Sequence, residues 1–299
     1  MELWVVLLAS VILFWVIADW LISRIKVSNL DRRAVLITGC DSGFGRLLTV
    51  QLLRMDMRVF AACYTEEGQS SLEAECKRLK IDQKITTLRM DVTSQGSVDA
   101  AAEFLSQNLG PEGLWALVNN AGALTDTAPD DWLTAGDYQT SLDVNTLGVI
   151  RVTHACRGLL KRGRHGGRVV TIVSVAGRMP FVGVGPYVVA KHAVGAYCDV
   201  LRLEMKQWGV SVHILEPGYF KTDFMNPDAI SGRTRRKWNS LSASVKLEYG
   251  EAYVNWVLSR VKSNGYDRAS SRVGLVVNDY VHAVTARFPK LRYCPGQRR

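Results

Sequence analysis

The sequence lacks the cysteine patterns that indicate disulfides or a metal site. Its six cysteines occur singly, without a C-x-x-C spacing, and several of them fall in apolar runs. Such cysteines are typical of reduced and mostly buried thiols. We therefore expect no disulfide framework and no bound metal.

The sequence also lacks a basic stripe, although its formal net charge is +9. Lysine and arginine are dispersed along the chain, and the only tight cluster is GRTRRKW at 232–238. Without a basic stripe and interleaved exposed aromatic residues, nucleic acid is not expected as a partner. The cluster is interpreted as a solvated loop or as a segment near anionic lipid headgroups.

No repeat, low-complexity stretch or linker divides the chain after Val27. Instead, apolar runs of strand length alternate with longer helical segments, and the runs lie at 34–38, 58–63, 85–90, 114–119, 168–174 and 210–216. Six buried strands with helices between them predict an α/β fold with a Rossmann-type doubly wound parallel sheet, in a single domain over 29–299. The polar, helix-like segment 223–275 is interpreted as an insertion that forms a lid on the substrate side.

The stretch from Leu3 to Ile22 departs from this globular pattern, because it is apolar apart from Ser10 and Asp19. A helix of about 20 such residues reaches roughly 30 Å, the thickness of a bilayer core. A cleaved signal peptide is the competing interpretation, but no Lys or Arg precedes the stretch and no clear small-x-small cleavage site follows it. A buried core helix fits less well, since large aromatic side chains occupy every face. We expect 1–28 to be a single-pass membrane anchor.

Three glycines follow the first predicted strand in the pattern T-G-x-x-x-G-x-G. Gly39 permits a tight turn, Gly43 permits the close approach of a phosphate, and Gly45 lets the next helix pack on the strand. The N-terminus of that helix would face the anion. An ordinary strand-to-helix turn shows the same glycines, so the motif needs support from elsewhere in the chain.

Support comes from Tyr187 and Lys191, which are four residues apart at the start of a predicted helix and share one of its faces. An ammonium about 4 Å from a phenolate is worth about 4 kcal/mol at an effective dielectric near 20, and it would lower the pKa of the tyrosine. Ser174, at the end of the fifth predicted strand, is placed to hold a substrate oxygen. A helix-surface pair and an ordinary strand-end serine are the alternatives.

Asn145 lies inside an otherwise apolar predicted helix, where asparagine is locally unfavourable and requires a reason. Together with NNAG at 119–122 and PGYFKT at 217–222, these motifs resemble the short-chain dehydrogenase/reductase family over residues 30–295. The resemblance implies a catalytic tetrad. In it Tyr187 moves the hydroxyl proton, Ser174 orients the oxygen, and Lys191 lowers the tyrosine pKa, while Asn145 holds a water behind the lysine.

The resemblance also implies which residues bind the nicotinamide cofactor. The segment 119–122 would line the adenosine side, Asp91 would meet the adenine edge, and 217–222 would close over the nicotinamide. The complete predicted set is Gly39, Ser42, Gly43, Phe44, Gly45, Cys63, Asp91, Asn119, Ala121, Gly122, Tyr187, Lys191, Pro217, Gly218 and Thr222.

Within the family, ITGCDSGFGRLL, GLWALVNNAG, EPGYFKT and the anchor resemble the membrane-bound retinol and hydroxysteroid dehydrogenases. This resemblance implies hydride transfer between a nicotinamide cofactor and an alcohol or carbonyl on an apolar substrate such as a retinoid or hydroxysteroid, at the endoplasmic reticulum membrane. Ala190 departs from the serine usual in the retinol enzymes, which leaves the exact substrate open. A homodimer is also left open.

Two other functional classes compete with this interpretation. A membrane-tethered nucleotide-binding scaffold would keep the fold and lack turnover. A nucleotide-sugar epimerase shares the YxxxK motif but favours TGxxGxxG and a longer chain. Because all four tetrad residues are present, we expect an active dehydrogenase.

The choice between NAD and NADP is indicated only indirectly. The second predicted strand ends at Cys63, with neither the aspartate typical of NAD enzymes nor the arginine typical of NADP enzymes. Asp41, in the glycine turn, would repel a 2′-phosphate, whereas Arg46 and Arg58 are the cations that could attract it. We predict NAD, with NADP left open and alcohol oxidation as the natural direction.

Two further expectations concern the anchor and the lid. Basic residues follow the anchor at 24, 26, 32 and 33, and only Glu2 and the amino terminus precede it, so the positive-inside tendency places the catalytic domain in the cytosol. Some large side chains of the lid should line an apolar substrate pocket, and the candidates are Phe224, Met225, Trp238, Tyr249, Tyr253 and Trp256.

Overall fold

Seven strands form one parallel sheet in the computed structural model, which describes residues 2–163, 166–260 and 266–296. The strands are β1 (Ala34–Thr38), β2 (Arg58–Cys63), β3 (Ile85–Arg89), β4 (Ala116–Asn119), β5 (Arg168–Ile172), β6 (Ser211–Leu215) and β7 (Arg292–Tyr293). Their order in the sheet is β3-β2-β1-β4-β5-β6-β7. The predicted doubly wound parallel sheet is confirmed, and its order reverses between β1 and β4, where such sheets bind ligands.

The count of six strands was one too few. β7 contains only two residues and pairs with β6 through Ile214 with Arg292 and Leu215 with Tyr293. A strand this short, half of it charged, has no apolar run by which a sequence pattern could reveal it.

Helices cover both faces of the sheet. α4 (Gln95–Asn108), α6 (Gly148–Leu160) and α7 (Gly185–Met205) bury side chains such as Leu105, Val152 and Val194 on one face. α2 (Gly43–Arg54), α3 (Glu66–Arg78) and α10 (Gly274–Thr285) bury side chains such as Leu52 and Tyr280 on the other. The apolar strands are therefore enclosed on both sides, as a parallel sheet requires.

The segment predicted to be a lid contains α8 (Pro227–Ser240) and α9 (Ala243–Arg260), and its last two residues belong to α10. It has an apolar cluster of its own, in which Trp238 and Val254 pack against Trp132. The ring centroids of Trp132 and Trp238 are 5.1 Å apart. α5 (Ala135–Leu142) lies beside this cluster, where Lys237 Nζ contacts Asp137 Oδ2 at 2.5 Å.

α1 (Glu2–Ser23) contains the apolar stretch singled out in the sequence. Its segment Trp4–Ser23 has a mean hydropathy of 2.5, and none of it is buried against the rest of the structure. This exposure excludes a core helix. One helix of this length and composition is compatible with a membrane anchor, and a signal sequence has the same properties.

Candidate active site

A cavity of about 570 Å³ lies at the carboxyl ends of β1, β4, β5 and β6. Its walls are the glycine turn after β1, the loops 120–124, 172–176 and 217–222, and two side chains of α7. The predicted residues that line it are Gly39, Ser42, Gly43, Phe44, Asp91, Ala121, Gly122, Ser174, Tyr187, Lys191, Pro217, Gly218 and Thr222. The topology thus brings together residues that are far apart in the sequence.

The three glycines of the turn occupy positions where a side chain would be strained or would collide. Gly39 has a φ of +70°, and a Cβ there would lie 2.9 Å from Ala121 Cα. A Cβ at Gly45 would collide with the carbonyl of Gly39, so α2 packs tightly on the turn. Gly43 has a φ of +60° and faces open space. The turn therefore leaves room for a ligand directly against its backbone.

The N-terminus of α2 is suited to an anion. Its N-cap residue Ser42 makes no side-chain capping hydrogen bond, and its first turn contains no acidic residue. The first N–H groups of a helix need acceptors, and the helix dipole favours a negative charge there. The residues present therefore fit the pyrophosphate of a dinucleotide cofactor.

Asp41 connects the glycine turn to the end of β2. Its carboxylate accepts hydrogen bonds from the backbone N–H of Tyr64 at 2.8 Å and of Thr65 at 2.8 Å, and from the Thr65 hydroxyl at 2.9 Å. Asp41 itself lines the cavity. A fixed negative charge consequently lies beside the turn.

Neither Arg46 nor Arg58, the two cations named in the sequence, lines the cavity. Arg46 pairs with Glu75 at 2.7 Å and donates to the carbonyls of Ser71 at 2.9 Å and of Asp41, in the glycine turn, at 3.2 Å. Arg58 begins β2, at the amino edge of the sheet, so it cannot reach the cavity. The sequence missed Arg89, which lies with Glu66 and Glu67 in a polar recess beside the cavity.

Three predicted cofactor residues do not line the cavity. Gly45 is buried under the turn, and Cys63 is fully buried within the sheet. Asn119 is directed into the core, where its Nδ2 donates to the Thr153 hydroxyl at 3.0 Å. Asn120 lines the cavity instead and donates to the carbonyl oxygens of Thr38 at 2.9 Å and Gly39 at 3.0 Å, which fixes the glycine turn.

Asp91 lies at the cavity wall on the side of β3. Its Oδ1 accepts from the backbone N–H of Thr93 at 2.9 Å and from the Thr93 hydroxyl at 2.7 Å. Among the described residues no hydrogen bond reaches its other carboxylate oxygen, Oδ2. The arrangement is compatible with the predicted contact to an adenine edge.

Tyr187 and Ser174 both line the cavity, and the Ser174 hydroxyl lies close enough to the phenol to influence its pKa. Ser174 lies two residues beyond the end of β5, and its Oγ accepts from the backbone N–H of Ala176 at 3.1 Å. Burial raises the pKa of Tyr187 above its ordinary value, and the nearby hydroxyl of Ser174 opposes this effect. At neutral pH the phenol is therefore protonated.

Lys191 is 2% exposed, and its Nζ donates to the carbonyl of Ile172 at 3.1 Å. Burial lowers the pKa of this ammonium to about 8. Nζ lies 5.5 Å from the centre of the Tyr187 ring. The YxxxK spacing predicts that the Lys191 ammonium lowers the pKa of Tyr187, whereas in the structure burial is the largest influence on both groups, raising the pKa of the tyrosine and lowering that of the lysine.

Asn145 does not line the cavity but lies behind it, fully buried. It occupies a π-helical turn, Asp143–Leu147, between α5 and α6, and not the interior of an α-helix as predicted. Its Nδ2 donates to the carbonyls of Ala123 at 2.9 Å and Ser141 at 3.1 Å, and its Oδ1 accepts from the Ala123 N–H at 3.2 Å. Asn145 thus fixes the loop after β4, and π turns of this kind are frequent at functional sites.

Gly122 explains how Asn145 and Lys191 come close together. A Cβ at this position would lie 3.0 Å from Asn145 Oδ1 and 3.6 Å from Lys191 Nζ. The lack of a side chain at Gly122 therefore lets both groups lie close to the same backbone position. Of the four predicted tetrad residues, Ser174, Tyr187 and Lys191 line the cavity, and Asn145 lies behind it.

The other end of the cavity is apolar. Its walls there include Phe181, Val184, Tyr219, Phe224 and Met225. The rings of Phe224 and Tyr187 are 5.6 Å apart, so the apolar end begins directly at the tyrosine. Of the lid residues predicted to line a pocket, Phe224 and Met225 do so. The rings of Trp238, Tyr249 and Tyr253 instead pack around Trp132. The ring of Trp256 packs on Tyr253.

A dinucleotide turn, a Ser–Tyr–Lys group and a parallel sheet together define the class of a nicotinamide-dependent dehydrogenase. The chain matches the family model for short chain dehydrogenase over residues 33–230 and belongs to that family. The resemblance identified from the motifs is confirmed, and the chain is an NAD(P)-dependent oxidoreductase.

Several curated proteins are similar to most of the chain. The 3beta-hydroxysteroid dehydrogenase dhs-16 of Caenorhabditis elegans is 50% identical over 265 residues, which cover 88% of this chain and 68% of that protein. Retinol dehydrogenase 16 of Rattus norvegicus is 41% identical over 98% of this chain and 90% of its own length. The human 17-beta-hydroxysteroid dehydrogenase type 6 is 39% identical with the same coverage. The predicted branch of the family is thereby confirmed.

The fold is shared with solved structures of low sequence identity. A short chain dehydrogenase/reductase from Burkholderia phymatum, in complex with NAD, has a TM-score of 0.74 at 20% identity and covers 90% of each chain. A short chain dehydrogenase from Burkholderia cenocepacia, in complex with NADP, has a TM-score of 0.64 at 18% identity and also covers 90% of each chain.

Proposed function

We propose that this chain is a membrane-anchored dehydrogenase that interconverts an alcohol and a carbonyl on an apolar substrate such as a retinoid or a hydroxysteroid. The observation that carries the proposal is that Ser174, Tyr187 and Lys191 line one cavity together with the glycine turn and a set of apolar side chains. The names of the similar retinol and hydroxysteroid dehydrogenases support the substrate class.

The protein's part in the reaction is to position the substrate oxygen and move its proton. A bound nicotinamide cofactor supplies the hydride acceptor for oxidation or the hydride donor for reduction. The hydroxyls of Ser174 and Tyr187 bind the substrate oxygen, and Tyr187 exchanges a proton with it. Because burial holds the pKa of Tyr187 high, the tyrosine serves directly as the acid in carbonyl reduction. For alcohol oxidation it must first pass on its own proton.

Lys191 and Asn145 provide the next positions for that proton. The pKa of Lys191 is about 8, so both of its protonation states are accessible near neutral pH. Asn145 fixes the loop at Ala123 and, through the space at Gly122, borders the ammonium. In this proposal Asn145 positions the group that receives the proton from the lysine, as the family resemblance implies.

Our preferred cofactor is NAD. Asp41 adds a negative charge beside the glycine turn, and Arg46 is paired with Glu75. A 2′-phosphate near Asp41 would be repelled, although solvent moderates the effect. The measurement is the ratio of the NADP and NAD dissociation constants on one preparation.

The membrane assignment follows from α1 and the residues after it. In the proposal α1 spans the endoplasmic reticulum membrane, and residues 29–299 form the catalytic domain in the cytosol, with the lid at 223–275 on the substrate side. The basic residues after α1 support this orientation. Added protease should digest the domain in sealed microsomes, and protection of the domain would contradict the orientation.

The proposed activity is tested with the purified full chain, both cofactors, and a panel of retinoids and hydroxysteroids. Appearance or loss of the near-ultraviolet absorbance of the reduced nicotinamide reports turnover. A pure nucleotide-binding scaffold would bind cofactor and show no change with any substrate. Turnover of small hydrophilic alcohols alone would contradict the assignment of the apolar end of the cavity to substrate.

A further inference from the structure

After α1 the chain makes a short antiparallel contact with the segment that follows α10. Lys26 bridges Ala286, the N–H of Val27 donates to the carbonyl of Thr285 at 2.8 Å, and the N–H of Arg287 donates to the carbonyl of Ile25 at 2.7 Å. Residues 23–28 and 286–291 therefore lie together, and we call them the exit surface. They meet at the amino edge of the sheet, because 23–28 shortly precede β1 and 286–291 directly precede β7.

His282 attaches the end of α1 to this surface. Its Nε2 lies 2.9 Å from the carbonyl of Ser23, and its Nδ1 lies 2.8 Å from the Tyr293 hydroxyl. A carbonyl can only accept, so Nε2 carries the proton and Nδ1 accepts from the phenol in the neutral ring. The Tyr293 oxygen in turn accepts from the N–H of Lys290 at 2.9 Å. One chain of hydrogen bonds thus joins α1 to residues 290–293.

Side chains of the sheet hold the exit surface in place through hydrogen bonds to the end of α10. Arg168, at the start of β5, is buried and donates to the carbonyls of Ala283 at 2.8 Å and Ala286 at 2.7 Å. Trp115 Nε1 donates to the carbonyl of Val284 at 3.0 Å. The end of α10 is therefore fixed to the strands, and the direction in which α1 leaves the domain is fixed with it.

The composition of the exit surface matches a membrane interface. Its two segments contain four cations and no carboxylate, and the cations are Arg24, Lys26, Arg287 and Lys290. Three apolar side chains among them are exposed: Ile25 by 45%, Phe288 by 56% and Leu291 by 59%. Cations attract anionic lipid headgroups, and apolar and aromatic side chains favour the interfacial region.

We propose that the exit surface rests on the anionic headgroups of the bilayer that α1 enters, an inference that depends on the anchor in the proposed function. The contact is continuous with the anchor, because α1 ends at Ser23 within the surface itself. The catalytic cavity lies at the opposite, carboxyl edge of the same strands. A strand of five residues spans roughly 16 Å, so the proposal places the cavity about that far or farther from the headgroups.

The test places a fluorescent label on either edge of the sheet in the full chain. The labelling sites are Phe288→Cys, on the exit surface, and Val182→Cys, a fully exposed position between β5 and α7 at the carboxyl edge. Both are made with Cys294→Ser, since Cys294 is the one cysteine that is not fully buried. The chain is reconstituted in phosphatidylcholine vesicles containing phosphatidylserine and a headgroup spin-labelled quencher. We expect quenching at 288 to exceed that at 182 by about twofold or more.

Charge and a second label position provide the controls. Leu291→Cys should reproduce the quenching seen at 288. Lys290→Glu should reduce it in vesicles with phosphatidylserine and leave it unchanged in phosphatidylcholine alone. The matched substitution Arg272→Glu, of an exposed cation just before α10, should have no effect in either.

The outcomes distinguish failure of the exit-surface contact from failure of the membrane anchor. If alkaline carbonate releases the chain from the vesicles, both the anchor and the exit-surface contact are wrong. If the chain is retained but 288 and 291 are not quenched, only the exit surface is overturned. Stronger quenching at 182 than at 288 would show that the cavity edge faces the membrane, which also overturns the proposal.

Discussion

The two edges of the sheet both bury charged and polar groups, but they use them differently. At the amino edge, Arg168 donates to two carbonyls of the α10 terminus, and the ring of Trp115 lies between its guanidinium at 4.6 Å and that of Arg33 at 3.6 Å. At the carboxyl edge, Lys191 is equally buried, yet its three donors have one hydrogen-bond acceptor among the described residues, the carbonyl of Ile172.

The two buried cations therefore have different roles, since Arg168 stabilises the fold and Lys191 remains available to a ligand. The guanidinium of Arg168 joins main-chain carbonyls at the edge opposite the cavity, so its hydrogen bonds stabilise the fold. A buried group with remaining capacity costs folding free energy and can bind or exchange a proton. The uncapped N-terminus of α2 and the ammonium of Lys191 are both of this kind, and both line one cavity.

The largest expected effect is at the carboxyl edge, with Tyr187→Phe. The change removes the exchangeable proton and keeps the ring, so turnover should fall by roughly 10² to 10⁴-fold while cofactor affinity stays nearly the same. Steady-state kinetics and cofactor titration measure the two quantities. Tyr197→Phe is the matched control, because Tyr197 lies on the same helix outside the cavity lining and its hydroxyl has no hydrogen-bond partner among the described residues. Near-normal turnover in Tyr187→Phe would remove the tyrosine from the mechanism.

The next effect belongs to the amino edge, with Arg168→Met. The methionine fills part of the volume but leaves the carbonyls of Ala283 and Ala286 without their donors, which should lower the free energy of unfolding by about 3 kcal/mol. The turnover number of the folded enzyme should change by less than about twofold. Thermal and denaturant unfolding in detergent measure the loss. Arg287→Met, at an exposed position, should change it by less than about 0.5 kcal/mol. A large loss of turnover without loss of stability would contradict the division between the edges.

Lys191→Met should show the opposite pattern, with loss of turnover and a gain in stability. Lowering the lysine pKa from 10.5 to about 8 costs about 3 kcal/mol of folding free energy at pH 7. Loss of the hydrogen bond to Ile172 destabilises the variant by about 1 kcal/mol. The free energy of unfolding should therefore rise by about 2 kcal/mol in total.

The stability difference between Lys191→Met and the wild type should depend on pH. Because the folded-state pKa is the lower one, the unfolded chain binds more protons between pH 8 and 10.5, and the cost in the wild type disappears as the pH rises through this window. The advantage of Lys191→Met should therefore be largest below pH 8 and absent above pH 10.5. Melting temperatures across this range measure it, with Lys206→Met as an exposed control. An advantage that persists at high pH would mean that packing, and not charge burial, is responsible.

The sheet and the glycine turn could be predicted because their signals are local. The strands of the sheet centre, such as β1, are short and mostly apolar runs, and the φ values of +70° at Gly39 and +60° at Gly43 belong to a conformation that glycine adopts without strain. The YxxxK spacing was informative for the same reason, since four residues make almost one helical turn.

The features that escaped prediction depend on contacts between distant residues. Whether Asn119 or Asn120 faces the cavity depends on where β4 ends and on Thr153, 34 residues away. Arg168 reaches carbonyls 115 and 118 residues along the chain, so nothing near it in sequence indicates its role. The π turn at Asn145 arises from hydrogen bonds to Ala123, and the aromatic residues of the lid found partners in Trp132 rather than in the cavity.

The smallest expected effect concerns cofactor choice at Asp41. Its carboxylate accepts from the N–H groups of Tyr64 and Thr65, so Asp41→Asn keeps one oxygen acceptor and removes the charge. Removing a repulsion of about 1.4 kcal/mol would lower the ratio of the NADP to the NAD dissociation constant by about tenfold, and screening by solvent makes this an upper value. Fluorescence titration with both reduced cofactors measures the ratio. Asp56→Asn, an exposed carboxylate at the amino edge, should leave it unchanged. If Asp41→Asn also leaves the ratio unchanged, Arg89 in the neighbouring recess governs the choice, and Arg89→Met should then weaken NADP more than NAD.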